Sequence, residues 1–385
     1  MAIGMLVRAI ALLQASAHAV RFARRSSVRR YAEGDVPHVR RKRYAGRYPR
    51  HFEERHKEHS GDAATVAKVL EKGSTPAGTH VPIMVAECLD HLDVGASRVA
   101  VDCTLGYGGH TSELIGRLPR GSTLLCFDRD GDELAKTSAR LSTLPRFARE
   151  DAGGGDAVVV RPIHSNYARV ADELAARGLA ADCLLADLGC SSMQVDDPRR
   201  GFTYKRDGPL DMRMDCSDGV ATAADFLASA DVTRVAEALR EASDFGKRDS
   251  RELAAAMLRG GPATTTADLA SRVRGVRLED EADADGDAVV KRAMQALRIS
   301  VNGEFEALEA LLLSLPRALA PGGRAVFLTF HSGEDRRVKK AFKAGLKAGL
   351  YSDVARRVVR ASPGERRANP RASCCKLRWA VRAAH

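Results

Sequence analysis

The chain has 385 residues, a length that fits one large domain or two ordinary ones. Hydrophobic residues make up 44% of it and charged residues 29%, a globular composition that excludes wholesale disorder. It contains no run of about 18 uncharged apolar residues, so we expect no membrane-spanning helix. The 8 cysteines form no CxxC pair, which disfavours a zinc cluster and fits a reducing compartment.

The net charge of +11 is concentrated at the two ends of the chain. Residues 1–75 carry a net charge of +9 and residues 336–385 carry +13, which leaves −11 for residues 76–335. Basic ends are typical either of a solvated surface or of segments that serve targeting and polyanion binding. We favour targeting at the amino end and a polyanion partner at the carboxyl end.

The first 32 residues have the composition of an import signal. They contain six arginines and no acidic residue, and their apolar stretch is interrupted by Arg8 and Gln14. An Arg-rich, acid-poor amphipathic segment is typical of a transit peptide, whereas a secretory signal has an unbroken apolar centre. We predict a mitochondrial transit peptide at 1–32, a basic flexible linker at 33–75 and localisation in the matrix. A disordered basic arm of a cytosolic protein is the alternative.

A nucleotide-binding α/β core begins near residue 80. The apolar run Val99–Asp102 predicts a buried strand, and it leads through a Gly-rich turn into a helix from Thr111 to Leu118. Strand, Gly-rich turn and helix in this order open a nucleotide-binding fold. The further strands predicted in chain order are Thr123–Phe127, Val158–Val160, Cys183–Ala186, Arg324–Phe330 and Lys376–Val381.

Polar or aromatic residues follow four successive strands of this core. They are Asp102, Asp128, Tyr167 and Asp187. Ligands of open α/β sheets bind outside the carboxyl ends of the strands, so we expect these side chains to converge on one rim. A carboxylate in the position of Asp128 can accept both hydroxyls of a ribose.

The glycines of the first turn indicate which nucleotide is bound. A dinucleotide site requires G-x-G-x-x-G, but counting from Gly106 the third glycine position is Thr111. The glycines cluster as Gly106, Gly108 and Gly109, which allows close backbone approach without a complete pyrophosphate cradle. This pattern favours S-adenosylmethionine, and an ordinary Gly-rich turn is the alternative.

A mostly helical insertion is predicted between the fourth and fifth strands. More than 130 residues separate Asp187 from Arg324, far more than one crossover helix needs. A loop is expected over Glu279–Asp287, and a helix over Glu304–Leu315 returns the chain to the core. We therefore predict a core of residues 76–200 and 301–385 around an inserted helical subdomain of residues 201–300. Its predicted helices are Ala221–Leu227, Val232–Glu241, Arg251–Arg259 and Thr266–Val273.

Motifs along about 300 residues identify a family. They are HVP at 80–82, DCTLGYGGH at 102–110, DLGCSSMQVD at 187–196, PRRGFTY at 198–204, DGPLDMRM at 207–214, QALRI at 295–299, FHS at 330–332, NPR at 369–371 and KLR at 376–378. Together they closely resemble the bacterial RsmH/MraW family of 16S rRNA cytosine-N4 methyltransferases and its mitochondrial counterparts. The resemblance implies an α/β class I (Rossmann-like) methyltransferase fold, S-adenosylmethionine as cofactor, no metal, and a helical insertion that helps to hold RNA.

The resemblance also implies site residues. Cofactor contacts are expected from Gly108, Gly109, His110, Asp128, Tyr167, Asp187 and Gln194. Because the exocyclic amine of cytosine is a weak nucleophile, the reaction needs in-line placement and an acceptor for the amine hydrogen. Asp187 is the candidate catalytic acceptor, and a role in cofactor binding alone is the alternative.

Basic residues near these motifs are candidate RNA contacts, since they would neutralise phosphates. The expected partner is small-subunit rRNA or a pre-ribosomal particle rather than a membrane, and a homodimer is left open. Each arginine has the alternative of an internal salt bridge, for example between Asp211 and Arg213. The candidates are Arg199, Arg200, Lys205, Arg206, Arg213, Arg371, Lys376 and Arg378.

Departures from the family pattern leave a second function open. The family's Tyr-Gly-Glu-Glu reads Phe-Gly-Lys247-Arg248, a reversal of charge, and its His-Pro is replaced by Ala288 and Val289. The favoured function is N4-methylation of a cytidine in small-subunit, mitochondrial rRNA. The alternative is a non-catalytic assembly or RNA-binding factor that retains the fold; amino methylation of another nucleic acid is a third.

Overall fold

The computed structural model describes residues 82–149, 155–217, 219–279 and 285–384. The transit peptide and linker predicted at 1–32 and 33–75, and His80 of the first motif, lie outside the described residues. Within the described ranges, no helix combines the length and apolar character needed to cross a bilayer.

An eight-stranded sheet forms the centre of the described chain. Its strands are β1 (Val99–Asp102), β2 (Thr123–Asp128), β3 (Phe147–Ala148), β4 (Val158–His164), β5 (Ala181–Asp187), β6 (Leu319–Thr329), β7 (Tyr351–Val354) and β8 (Lys376–Arg382). They lie in the order β3-β4-β2-β1-β5-β6-β8-β7. All neighbours are parallel except β8, which is antiparallel to both β6 and β7. Because β2 and β5 flank β1, the strand order reverses there, and such a switch point is where open α/β sheets bind ligands.

Helices cover both faces of the sheet and also fill the segment between β5 and β6. They are α1 (Val85–Leu92), α2 (Gly109–Arg117), α3 (Gly131–Leu141), α4 (Val170–Ala176), α5 (Ser192–Asp196), α6 (Ala223–Ser229), α7 (Val232–Ser243), α8 (Lys247–Leu258), α9 (Thr266–Arg274), α10 (Gly286–Asn302), α11 (Glu304–Ala318), α12 (Ser332–Lys347) and α13 (Pro363–Ala368). One apolar layer packs α1, α2 and α3 on the sheet, and the opposite layer packs α4, α11 and α12. Residues of β2 alternate between these layers, with Leu124 in the first and Leu125 in the second. Burial on both faces explains why the strands are continuous apolar runs.

The segment between β5 and β6 has a hydrophobic core of its own. Buried residues from Leu210 to Phe305 pack the helices α6 to α10 together, with Leu239, Leu253 and Leu297 fully buried. Apolar residues on α7 and α10 recur at helical spacing, so each of these helices turns one apolar face inwards. This core is separate from the two layers on the sheet.

The expected α/β class is confirmed, and several element boundaries change. β4 extends to His164, and β6 begins at Leu319, five residues before the predicted start at Arg324, with a register shift in its pairing with β5. The loop expected over Glu279–Asp287 is wrong at its end, because α10 begins at Gly286 behind an Asp285 cap. The chain also forms elements that were not predicted, namely α1, α3, α4, α5, α10, α12, α13, β3 and β7.

Asn302, at the end of α10, holds the segment around Met212 and Met214 by hydrogen bonds that no apolar residue can replace. Its Oδ1 accepts from the backbone N–H of Met214 at 2.8 Å, and its Nδ2 donates to the carbonyl of Met212 at 2.8 Å. Asn302 is buried, and Met212 has a φ of 62°. The side chain therefore stabilises a left-handed backbone conformation that a methionine rarely adopts.

We expect Asn302→Ala to lower the free energy of unfolding by about 2–4 kcal/mol, because it leaves a buried N–H and a buried carbonyl without partners. Thermal or urea unfolding followed by circular dichroism measures the change. Lys291→Ala, at an exposed position of the same helix, is the control and should stay within about 0.5 kcal/mol of the parent. Equal stability of the two variants would contradict this role for Asn302.

Candidate active site

A cleft of about 440 Å³ opens at the carboxyl ends of β1, β2 and β5. This is the switch point of the sheet, and the volume lies in the range of small-molecule sites. Every cofactor contact expected from the sequence lines it: Gly108, Gly109, His110, Asp128, Tyr167, Asp187 and Gln194.

Asp102 does not join the rim as expected. Its side chain is buried below the cleft, where Oδ1 accepts from the backbone N–H of Thr104 at 3.0 Å and Oδ2 accepts from the Thr111 hydroxyl at 2.6 Å. Asp102 therefore ties the Gly-rich turn to the start of α2. The Thr104 hydroxyl in turn accepts from the backbone N–H of Asp187 at 2.8 Å, which joins the ends of β1 and β5.

Asp128 ends β2 and faces the cleft while it holds two loops. Its Oδ2 accepts from the backbone N–H of Gly106 at 2.7 Å, and its Oδ1 accepts from that of Asp130 at 2.9 Å. Burial raises the pKa of Asp128 to about 6, although these two hydrogen bonds oppose the shift. Each carboxylate oxygen keeps a second lone pair for a ligand hydroxyl.

Asp187 and His110 form a close pair on the cleft wall. Asp187 Oδ2 lies 3.5 Å from His110 Nδ1, and His110 Nε2 lies 3.0 Å from the carbonyl oxygen of Ile83. Because a carbonyl only accepts, Nε2 carries the hydrogen in the neutral ring, and Nδ1 then presents a lone pair to Asp187. Two facing acceptors repel, so the pair is favourable only with a proton between the two side chains. The structure thus gives His110 a partner in the protein, which the sequence did not reveal.

The other oxygen of Asp187 is the unsatisfied group of the site. Among the described residues Oδ1 has no hydrogen-bond partner, although that atom is buried. Burial raises the pKa of Asp187 to about 6, His110 opposes the shift, and Asp102 and Glu334 add to it. A buried acceptor without a partner is costly, and a donor on a bound ligand would satisfy it.

Gly108 and Gly109 allow close packing behind the cleft wall. A Cβ on Gly109 would lie 2.9 Å from the ring of Pro82, and one on Gly108 would lie 2.8 Å from Thr137 Cγ2. Gly108 also has a φ of 74°, a conformation that favours glycine. Both glycines therefore shape the wall through its packing, besides lining the cleft itself.

Tyr167 and Gln194 reach the cleft with their polar groups already engaged. The Tyr167 hydroxyl makes a long hydrogen bond of 3.5 Å to the carbonyl of Glu304, and burial raises the pKa of that hydroxyl. Gln194 closes a capping box with Ser191 at the start of α5, and its Nε2 lies 3.4 Å from Asp130 Oδ2. The ring of Tyr167 stays a candidate surface for adenine, whereas the amide of Gln194 holds the loop.

The QALRI motif supplies a buried ion pair that had no assigned role. Arg298 binds Glu304 through Nε–Oε1 at 2.7 Å and Nη2–Oε2 at 2.8 Å, and its Nη1 lies 3.1 Å from Cys190 Sγ. Burial alone would lower the pKa of Arg298, but Glu304 raises it above its ordinary value. The pair fixes the loop after Asp187 against the junction of α10 and α11. The motif itself was the signal for it, since its arginine interrupts an apolar helix face.

Two of the candidate RNA contacts are occupied inside the protein. Arg200 binds Asp130 Oδ2 at 2.7 Å and is mostly buried. Arg213 binds Asp211 with both of its Nη2 and Nε groups at 2.8 Å, the internal pairing that was the alternative. The structure therefore assigns these guanidinium groups to holding the segment after the cleft loop.

The neighbouring candidates differ in how free they are. Arg206 donates to the carbonyl of Asp196, and the exposed Arg199 forms a bidentate pair with Asp197. Lys205 is exposed, and no ion pair involves it in the described part of the chain. Of this group, Lys205 therefore has the side chain that is least engaged in contacts within the described protein.

The carboxyl-terminal candidates divide in the same way. Lys376 and Arg378 both bind Asp335, at 3.1 Å and 2.6 Å, and Arg378 is buried. The expectation that Arg378 meets RNA is therefore corrected, because burial and pairing leave its guanidinium no access to phosphate. Arg371 is exposed and lines the cleft.

Four of the departures from the family pattern, at Lys247, Arg248, Ala288 and Val289, lie away from the cleft. Lys247 and Arg248 begin α8 on the surface, where Arg248 pairs with Glu279. Val289 packs into the core of the insertion, and Ala288 is exposed beside it. None of these four replacements contributes to the described lining of the cleft.

The cleft suits S-adenosylmethionine in both size and charge. The cofactor carries a sulfonium and an ammonium, and the lining offers the carboxylates of Asp128, Glu133 and Asp187. The unsatisfied Oδ1 of Asp187 and the raised pKa values of Asp128 and Asp187 mark a site that a nearby cation would stabilise. Residues present in the cleft therefore fit the cofactor expected from the sequence.

Comparisons with known proteins identify the family of the chain. Residues 77–383 match the model of the MraW methylase family. The chain is 41% identical over 353 residues to a "Ribosomal RNA small subunit methyltransferase H 1" of Lachnoclostridium phytofermentans, which covers 90% of this chain and 93% of that protein. It is 42% identical over 354 residues to a protein of the same name from Agathobacter rectalis, covering 90% and 98%. The chain therefore belongs to the MraW methylase family and is an S-adenosylmethionine-dependent enzyme.

Proposed function

We propose that this enzyme methylates the N4 amine of a cytidine in small-subunit ribosomal RNA. The observation that carries the proposal is the carboxylate of Asp187, which lines the cleft with 28% of its side chain exposed and has one oxygen without a hydrogen-bond partner among the described residues. The names of the relatives support small-subunit rRNA as the class of substrate.

The residues of the cleft divide the work of the reaction. Asp128 accepts the ribose hydroxyls, and the wall built on Gly108 and Gly109 borders the remainder of the cofactor. When bound, S-adenosylmethionine supplies an electrophilic methyl group next to a sulfonium. Asp187 orients the cytosine amine by accepting one N–H, and the lone pair of that nitrogen is then directed at the methyl carbon.

Charge on the nitrogen is handled by the same carboxylate. In the transfer, the carbon–nitrogen bond would form as the methyl–sulfur bond of the cofactor breaks and a neutral thioether leaves. The positive charge would then rest on nitrogen until a proton departs. The negative charge of Asp187 stabilises this cation, and its carboxylate takes the proton. His110, whose Nδ1 lies 3.5 Å from Asp187 Oδ2, helps to fix the position of this carboxylate in the cleft wall.

The target base must leave its stack to reach this acceptor. Asp187 lies within a cleft rather than on an open face, so the amine of a paired cytosine could not approach it. Enzymes that act on a base therefore use single-stranded substrate or flip the nucleotide out. This favours a cytidine in an accessible rRNA segment.

The non-catalytic assembly factor receives no support from the position of the departures. Their charge reversal lies on the surface of α8, and the replaced His-Pro lies at the start of α10. The acceptor, the ribose carboxylate and the Arg298–Glu304 pair are all present. We therefore place the chain among active enzymes.

We also propose that the enzyme acts in the mitochondrial matrix. The support is the composition of residues 1–32, which hold six arginines, apolar residues and no acid. The substrate would then be the rRNA of the mitochondrial small subunit.

Asp128→Ala should weaken S-adenosylmethionine binding by about 1.5–3 kcal/mol, the scale for losing a charged hydrogen-bond acceptor. Isothermal titration calorimetry gives the affinity. Asp132→Ala removes the same charge from an exposed position in the first turn of α3 and should leave affinity near the parent value. An unchanged affinity in a folded Asp128 variant would remove Asp128 from the cofactor site.

Asp187→Asn should lower the single-turnover rate of methyl transfer to a small-subunit rRNA fragment about 100-fold or more. The change keeps the shape of the side chain but removes the charge that stabilises the cationic nitrogen. RNA affinity should barely change, and the cofactor dissociation constant is measured separately. A rate loss explained wholly by weaker cofactor binding would reduce Asp187 to a cofactor ligand.

The same experiment has a pH arm. Only ionised Asp187 accepts a proton, so the parent rate should fall as the pH drops through about 6, and a bound cation would move this midpoint lower. The Asn variant should lose this dependence. Identical pH profiles for the two proteins would contradict the acceptor role.

Deletion of residues 1–32 should abolish mitochondrial import and leave the isolated enzyme able to bind its cofactor, because every residue that lines the cleft in the described part of the chain lies at Pro82 or beyond. Fractionation of cells that express the full-length and truncated chains tests the first part. Calorimetry on the purified truncated protein tests the second. Import of the truncated chain would refute the transit peptide.

A further inference from the structure

The segment between β7 and β8 carries a dense, uncompensated positive charge. Residues 355–375, which we call the arginine strap, contain a single acidic residue, Glu365. In the described part of the chain, the side chains of the strap's arginines form no ion pair and no hydrogen bond. All six are exposed: Arg356, Arg357, Arg360, Arg366, Arg367 and Arg371.

The strap is held in place by its other residues. Glu365 Oε1 accepts from the backbone N–H of Met84 at 2.7 Å, and Val359 pairs with Leu377 through backbone hydrogen bonds. Ala361 and Ala372 are buried in the apolar layer that contains α1. The arginines thus have no part in anchoring the segment. Because like charges repel, this density of cations is more favourable when an anion neutralises it.

The topology places the strap at the mouth of the cleft. Since β6 and β7 are both antiparallel to β8, β7 runs in the same direction as β6 and β5, so the chain leaves β7 towards the edge of the sheet that holds Asp187. Farther along the strap, Asn369, Arg371 and Cys374 line the cleft itself. A strand whose base enters the cleft would therefore pass close to these cations.

Three other cations near the cleft are engaged within the protein. Arg200 and Arg213 bind carboxylates, and Arg298 is part of the buried pair. A second basic surface lies on α12. This helix packs on one face of the sheet, and Ala361 and Ala372 of the strap pack on the opposite face. The exposed lysines of α12, Lys339, Lys340 and Lys343, form no ion pair in the described ranges and match the strap in charge but not in position.

We infer that the arginine strap binds the phosphate backbone of the RNA strand whose target base enters the cleft. The inference rests on the proposed function and names the surface that delivers its substrate. RNA is favoured over an acidic protein because the cations border the site of base chemistry. Exposed guanidinium groups pair well with phosphate oxygens and contribute a salt-dependent binding energy.

The test compares two triple variants of the full chain. Arg360→Gln/Arg366→Gln/Arg367→Gln removes three charges from the strap, and Lys339→Gln/Lys340→Gln/Lys343→Gln removes three from α12. Binding of a fluorescent small-subunit rRNA fragment is measured across a range of salt concentrations. The strap variant should lose about 10-fold or more in affinity, and its log-log salt slope should fall by about 2, at about 0.7 per lost phosphate contact. The α12 variant should change affinity by less than about 3-fold.

Two measurements separate charge from folding. Both variants should keep the parent unfolding temperature and cofactor affinity, and Arg360→Lys/Arg366→Lys/Arg367→Lys should retain most of the RNA affinity. The proposal would be overturned if the strap and α12 variants lost equal RNA affinity, or if the strap variant kept the parent RNA affinity. Binding of an acidic protein to the strap would not rescue it in either case.

Methyl transfer by the parent protein is scored separately from binding. RNA binding that depends on the strap, without any methyl transfer, would refute the proposed function and support the role of the strap in RNA binding. Methyl transfer together with RNA binding that does not depend on the strap would support the proposed function and refute that role.

Discussion

The buried pair of Arg298 and Glu304 is the interaction on which the geometry of the site depends. It lies where the helical insertion returns to the core, and its guanidinium also touches Cys190 in the loop after Asp187. A bidentate pair of this kind has a fixed orientation, so it sets the position of the loop relative to the junction of α10 and α11. Loss of one partner would leave a buried charge, which in proteins costs about 3–5 kcal/mol. This contact therefore couples the insertion to the cleft.

The carboxylates of the cleft are arranged for a cationic ligand rather than for stability. Burial raises the pKa of Asp128 and of Asp187 to about 6. A carboxyl whose folded-state pKa is raised favours the folded protein most below its unfolded value near 4, and this contribution is lost as the pH rises through about 6. At neutral pH burial thus disfavours the ionised carboxylates of Asp128 and Asp187, and a nearby sulfonium or ammonium offsets this cost. The destabilisation and the binding energy have the same origin.

The basic residues of the chain fall into two groups with different physical roles. Arginines after the cleft loop, such as Arg200 and Arg213, are bound to carboxylates and shape the protein. Arginines of the strap are anchored through their neighbours and keep their charge for a partner. Because Arg200 and Arg213 lie within the PRRGFTY and DGPLDMRM motifs, the sequence analysis had made them candidate RNA contacts. Pairing, rather than charge density, decides which cations can meet a phosphate.

The sequence by itself determined the fold class and the positions that line the cleft. Apolar runs that end in Asp128 and Asp187 are local signals, and parallel strands bring their carboxyl ends to one edge, so residues at successive strand ends meet without any further information. Only the tertiary structure decided what each side chain does there. Asp102 is buried beneath the rim, His110 faces Asp187, and Arg378 is bound to Asp335. These roles depend on contacts between residues tens of positions apart, and neither periodicity nor composition records which opposite charges the folded chain will bring together.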